Sequence, residues 1–260
     1  MGNSDPIDEL LGSPIPEQLW HYTSVQAFHG IVTSRKMFAT DIRFLNDREE
    51  FSHARTIAIE FIENMSAGNI AIGFKHHLRN TVDLAFNNGP LHRNRSQVFV
   101  ASFTSAEDQL SQWRAYSHGS SGVSLALRLV AVREQTDAYG APSFAPCVYD
   151  LGEKRALIEH ALRDTIKEIE GYSKDLVELL TGNANMVLKD PAKLEEVFAN
   201  DPRTSGFQNR LDAAMDKTST DLMRIAALLK NPSLREEQEW RLGLPPGVRQ
   251  TVKTLLAVRW

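Results

Sequence analysis

QVFVASFTS (97–105) is rich in Val and Phe and alternates in character, the pattern of a central β-strand. Downstream, EDQLSQWRAYS (107–117) reads as a short helical turn and GVSLALRLVAV (122–132) as a second strong strand. Upstream, LWHYT (19–23) is a short aromatic and β-branched strand. SVQAFHGIVTSRK (24–36) follows, with Val25, Phe28, Ile31 and Val32 at helical spacing and Ser24 placed to cap them. MFATDIRFL (37–45) returns to extended character. A helix then opens at NDREEF (46–51), capped by Asn46 or Asp47, and runs to about Asn64, with another over roughly 72–87. FAPCVYD (144–150) is extended, two helical regions cover about 152–180 and 205–230, and EEQEWRLGL (236–244) alternates as a half-buried strand. Strands interleave irregularly with helices that cluster late. The fold class is therefore α+β, not a regular parallel array, with 151–230 as a helical insertion or layer packed on the sheet. Residues 1–18, with Pro6, Pro14 and Pro16, read as a flexible lead-in, and 19–260 as a single α+β domain.

Composition sets outer limits. Of 260 residues, 42% are hydrophobic and 24% charged, ordinary globular values, so a sizeable core can form. The formal net charge of -4 gives the whole molecule no electrostatic attraction to nucleic acid or an anionic membrane. A single cysteine, Cys147, permits no intramolecular disulfide and no cysteine-rich zinc site; it lies in an apolar run as a buried, unreactive thiol. The first residues lack a basic start followed by an apolar stretch, and no run approaches the length of a membrane span. The expectation is a cytoplasmic protein without a membrane partner.

Several familiar sites are missing. There is no phosphate-loop glycine-lysine pattern and no G-x-G-x-x-G. HGSSG (118–122) leads into a strand, whereas a nucleophile elbow leads into a helix, so Gly119 and Gly122 mark a turn. No H-E-x-x-H occurs, and His76 and His77 are adjacent, pointing to different sides of a helix. No metal is expected.

Three segments remain as carriers of chemistry. HYTS (21–24) puts His21, Tyr22, Thr23 and Ser24 where a strand meets a helix N-terminus, which suits a polar ligand group or, equally, a cap with a structural histidine. LSQWRAYS (110–117) gathers Trp113, Arg114 and Tyr116, able to stack on a planar ligand and pair with its phosphate or carboxylate, or simply to anchor the turn on the sheet. EEQEWRL (236–242) places Glu237 and Glu239 two apart on a strand, so both carboxylates face one way while Trp240 and Leu242 face the core. Such a pair suits general base work or cation stabilisation; a surface row on an edge strand is the plain alternative.

Together, HYTS, FATDIRFLNDREEF, FVASFTS, LSQWRAY, CVYD and EQEWRL resemble a bacterial family of unknown function that carries these blocks in this order, from about Leu19 to Leu242. More distantly, a strand-borne histidine before a helix, a strand ending in hydroxyls and a late Glu-x-Glu resemble the ADP-ribosyltransferase superfamily. That resemblance implies a split or mixed sheet with NAD in its cleft. His21 would hold the adenosine-side ribose, with the Tyr22 and Thr23 region at the nicotinamide amide. Ser102 and Ser105 would match the hydroxyl-bearing strand, Trp113, Arg114 and Tyr116 would border the cofactor, and Tyr116 would stack on nicotinamide. Glu239 would bond the nicotinamide ribose and stabilise the oxocarbenium-like state, while Glu237 orients or deprotonates the acceptor. Members of that superfamily continue beyond the strand bearing the glutamate, so the resemblance implies an incomplete sheet in a chain ending at Trp260.

The resemblance thus implies an enzyme that transfers ADP-ribose from NAD to a protein or nucleic acid, as a toxin or phage-defence component with an antitoxin or other regulatory partner. A non-catalytic module that binds a nucleotide or protein with the same three segments is the alternative. A nuclease holding a divalent metal through Asp41, Asp47, Glu237 and Glu239 is a third, without compact ligand spacing.

Overall fold

The computed structural model describes residues 5–34, 36–42, 48–65, 72–86, 98–116, 121–127, 143–182 and 206–244. Its described strands are β1 (Leu19–Ser24), β2 (Thr40–Asp41), β3 (Phe99–Thr104), β4 (Gly122–Leu127), β5 (Ser143–Pro146) and β6 (Glu239–Leu244). They form one antiparallel sheet in the order β4-β1-β3-β6-β5, with β2 also paired to β3. The helices are α1 (Pro6–Leu11), α2 (Val25–Ser34), α3 (Arg48–Asn64), α4 (Ile72–Phe86), α5 (Leu110–Tyr116), α6 (Leu151–Gly182) and α7 (Phe207–Ala226). The protein is α+β.

β3 is the hub, as its Val- and Phe-rich sequence leads one to expect. One edge pairs with β6 along the whole strand, from Phe99↔Leu244 to Thr104↔Glu239. The other edge is divided: β2 takes Phe99 and Val100, and β1 takes Thr104 through Trp20. β1 itself is laddered along its full length to β4. The sheet is therefore split at the middle of β3, between two strands that occupy opposite ends of one edge.

Strand alternation divides the core in two. Leu19, Phe103, Leu125, Leu127, Phe144, Trp240 and Leu242 form one buried cluster on a single face, joined by Ile31 of α2 and Met37. The other face carries Val100 and receives α3, α4, α6 and α7, whose apolar stripes supply Ile57, Ile62, Leu78, Val82, Ile158, Leu162, Leu222 and Ile225. Between α6 and α7 a hydroxyl pair is fully buried: Thr165 and Thr218 lie 3.0 Å apart and Thr218 Oγ1 donates to the Ala161 carbonyl at 2.7 Å.

Three expectations need correction. Residues 6–11 of the supposed flexible lead-in form α1, because Pro6 stands at the first helical position and Asp5 caps the turn, accepting from the Ile7 and Asp8 amides. Ile7 is 0% exposed, and Asp5 Oδ2 lies 3.0 Å from His160 Nε2 of α6, so the segment is docked. The stretch 236–244 is not one strand: Pro232–Glu237 form a 3₁₀ helix, and Gln238 turns the chain at φ 40 before β6 begins. In 37–45 only Thr40–Asp41 are strand, 43–47 lying outside the described residues, as do 117–120 and 128–132.

Candidate functional site

β1 delivers His21 to the split. The imidazole Nδ1 lies 2.9 Å from the Ser102 carbonyl, a β3 main-chain group midway between the parts of the edge held by β2 and β1. A carbonyl only accepts, so Nδ1 carries the proton and the side chain does there what a neighbouring strand's N–H would do. Burial pushes the His21 pKa below its ordinary value, against the Ser102 bond, which raises it. The ring is thus neutral near pH 7, with Nε2 as an acceptor.

Alternation then separates residues that the sequence groups together. Trp20, Thr104 and Glu239 are paired across three strands and share a face. His21 and Thr23 belong to the opposite face, where the His21 and Phe103 rings are 5.9 Å apart. Tyr22, Ser102 and Glu239 lie on the face that α5 covers. Tyr22 meets Trp113 edge-on at 4.8 Å and donates its phenol proton to the Glu107 carbonyl at 2.6 Å, while accepting from the Gln109 amide. Trp113 Nε1 donates to Asp108 at 2.8 Å. Those bonds hold α5 against β1. Arg114 is exposed, and Ser105 Oγ donates to Gln238 Oε1 at 3.0 Å.

Glu239 sits in a buried ion cluster. Its carboxylate accepts from Arg241 Nε at 2.8 Å and Nη2 at 3.2 Å, and from Lys230 Nζ. Glu237 Oε2 also reaches Lys230 Nζ, so a lysine brings the two glutamates together where strand alternation does not. Arg241 Nη1 donates to the Ala227 carbonyl at 2.7 Å, and the fully buried Lys154 Nζ to the Lys230 carbonyl. The Glu239 amide donates to the Tyr149 hydroxyl at 2.9 Å. Burial pushes the Glu239 carboxyl upward, yet Arg241 and Lys230 outweigh it and bring the pKa down to about 2. Lys230 is held protonated by the same glutamates despite its burial. Tyr116 of α5 faces this cluster: burial first, then the Glu239 charge, raises its phenol pKa, so it remains a hydrogen-bond donor.

Of the residues expected from sequence, Tyr22, Trp113, Tyr116, Ser102 and Glu239 fall on one side of the sheet, and His21 with Thr23 on the other. The carboxylates Asp41 and Glu239 are both buried, Asp47 lies outside the described residues, and no three metal-ligating side chains stand together among those described. Sequence reasoning missed Lys230, Tyr149 and the role of Arg241. Arg241 was legible: two residues from Glu239 on a strand, it shares that face.

The chain belongs to the DUF2971 family, described as a protein of unknown function, whose sequence pattern matches residues 112–242, half of its length. The match opens at Gln112 in α5 and closes at Leu242 in β6, so it contains the ion cluster and leaves His21 outside. No curated protein and no solved structure matches the chain.

Proposed function

We propose that this protein is a non-catalytic binding module whose ligand is a nucleotide, NAD being the one that the ADP-ribosyltransferase resemblance suggests. The ligand would lie along the exposed part of α5, with Tyr116 stacking and Arg114 at a phosphate. The observation that carries this reading is the state of Glu239. A carboxylate that stabilises an oxocarbenium-like centre must present unneutralised charge to it. Glu239 is 5% exposed, and both its oxygens are taken by Arg241 and Lys230. Its charge serves the fold.

ADP-ribosyl transfer to a macromolecule remains the second reading, favoured by Glu237. Its side chain is 15% exposed and only Oε2 is engaged among the described residues, while Tyr116 lies in the field of both glutamates. Calorimetry with NAD on the wild type and Arg114→Ala, followed by incubation with labelled NAD, separates the two. The module reading expects binding that weakens in Arg114→Ala and no release of nicotinamide. Turnover that Glu237→Gln or Glu239→Gln abolishes in a folded protein establishes the transferase instead, and no binding at millimolar NAD removes both readings.

A further inference from the structure

We infer that this protein forms a twofold homodimer through β4, whose outer edge pairs antiparallel with the same strand of a second copy and joins the two sheets into one. The pairing is independent of the nucleotide reading.

The strand order leaves two outer edges, on β4 and on β5. They are treated differently. β5 closes with Pro146, which has no amide to donate, and α1 packs against that strand. β4 has neither protection. Its sequence GVSLAL contains no proline and no charged side chain, and no described strand is bonded to its outer edge. Such an edge is a template for another strand.

The ladders fix which groups of β4 face outward. The Val98 carbonyl accepts from the Ile42 amide, and the Ser102 carbonyl from His21. Val98 and, in β3, Val100, Ser102 and Thr104 therefore turn their main-chain groups towards β1 and β2. Thr104 pairs with Trp20, so Trp20 spends its own groups on β3 and leaves those of Leu19, His21 and Thr23 for β4. Their partners there are Leu127, Leu125 and Val123. Gly122, Ser124 and Ala126 thus project N–H and C=O away from the sheet.

The occupant is a second copy because this edge complements itself. An axis through Ser124 sets Ser124 against its mate and Gly122 against Ala126, so every outward residue of one strand meets an outward residue of the other. On one face Val123 then meets Leu125, extending the apolar cluster that holds Leu125 and Leu127. On the other face Ser124 Oγ is buried without a hydrogen-bond partner among the described residues, and the hydroxyl of its mate supplies one. Self-pairing of a charged strand would set like charges side by side; β4 has none, although each copy carries a formal net charge of -4. A charged peptide finds no counter-charge on this strand. Helix α2, which packs on β1 and β4, contains no Asp, Glu, Lys or Arg and flanks the seam with Val25 49% exposed.

Sedimentation equilibrium on the full chain, with circular dichroism to confirm folding, is the test. Wild type is expected at twice the chain mass of 29.2 kDa. Ala126 is exposed, and Ala126→Pro removes one outward amide while leaving the β1 ladder whole, so this variant should sediment as a folded monomer. Should the proline variant fail to fold, Ala126→Lys keeps the amide, places a cation on each edge and should raise the dissociation constant by about tenfold or more. Ser124→Ala should weaken the dimer by about three- to tenfold through loss of one hydrogen bond. A wild type that stays monomeric at high micromolar concentration overturns the assignment, as does a dimer that withstands the folded variants at Ala126. An undiminished dimer in Ser124→Ala overturns the axis through Ser124.

Discussion

Replacing Glu239 by glutamine removes one charge from a cluster in which Lys230, Arg241 and Glu237 are otherwise unchanged. The carboxyl has a pKa of about 2 in the fold against an ordinary 4.5. At roughly 1.36 kcal/mol per unit, that depression corresponds to about 3 kcal/mol of stability at neutral pH. Removing one partner of a buried pair costs about 3–5 kcal/mol in general, since the remaining charge is left uncompensated. The two routes agree, and the loss is a large fraction of the ~5–15 kcal/mol that holds a typical domain together. The pKa is depressed, so the contribution is complete above the unfolded value of 4.5 and is lost as pH falls from there towards about 2. Urea unfolding of wild type and Glu239→Gln, followed by tryptophan fluorescence at pH 7 and at steps down to pH 3, measures both effects. The variant should be weaker by about 3 kcal/mol at pH 7, with a smaller acid dependence below 4.5. A difference under about 1 kcal/mol at pH 7, or equal acid slopes in the two proteins, would refute the structural role assigned to this carboxylate.

Ile7→Ala should lower stability by about 2–5 kcal/mol, visible in the denaturant midpoint, because α1 is docked through a fully buried side chain. An unchanged midpoint would mean that the segment does not contribute to the core. His21 should titrate below its ordinary 6.5 in a proton NMR series, and the stability due to its neutral form should be complete above that pH and fall as acid protonates the ring. A His21 pKa at or above 6.5 contradicts its burial at the split. Thr218→Val should cost about 1–3 kcal/mol by stranding the Thr165 hydroxyl, and adding Thr165→Val should restore part of the loss, as a double-mutant cycle will show.

The strands were legible where sequence pattern and burial coincide. Val98 to Phe103 form a largely apolar run because both faces of β3 are covered, and Trp240 with Leu242 point to the core that their spacing suggests. α1 was hidden because Pro6 reads as a breaker when considered as composition, whereas at the first turn, after Asp5, it starts a helix. The convergence of Glu237 and Glu239 was legible, but for the wrong reason. The link is Lys230, at the end of the apolar run LMRIAALLK, and nothing in local periodicity tells a buried lysine from an exposed one there. The separation of His21 from Tyr22 is legible in the sequence, since the two-residue period of a strand sends them to opposite faces, although the resemblance assigns both to one ligand.

The central strand also sets the timing of assembly. Thr104 of β3 reaches Glu237 across 133 positions, and the ladder from Phe99 to Thr104 is completed only by Glu239–Leu244. A ribosome adding about 5–20 residues per second needs on the order of ten seconds to make the intervening chain. Throughout that interval the central strand of the nascent protein has one edge without its partner, the condition under which strands pair with other chains. Soluble yield in an expressing cell should accordingly respond to translation speed and to chaperones that shield β3 more than to the stability of the finished fold.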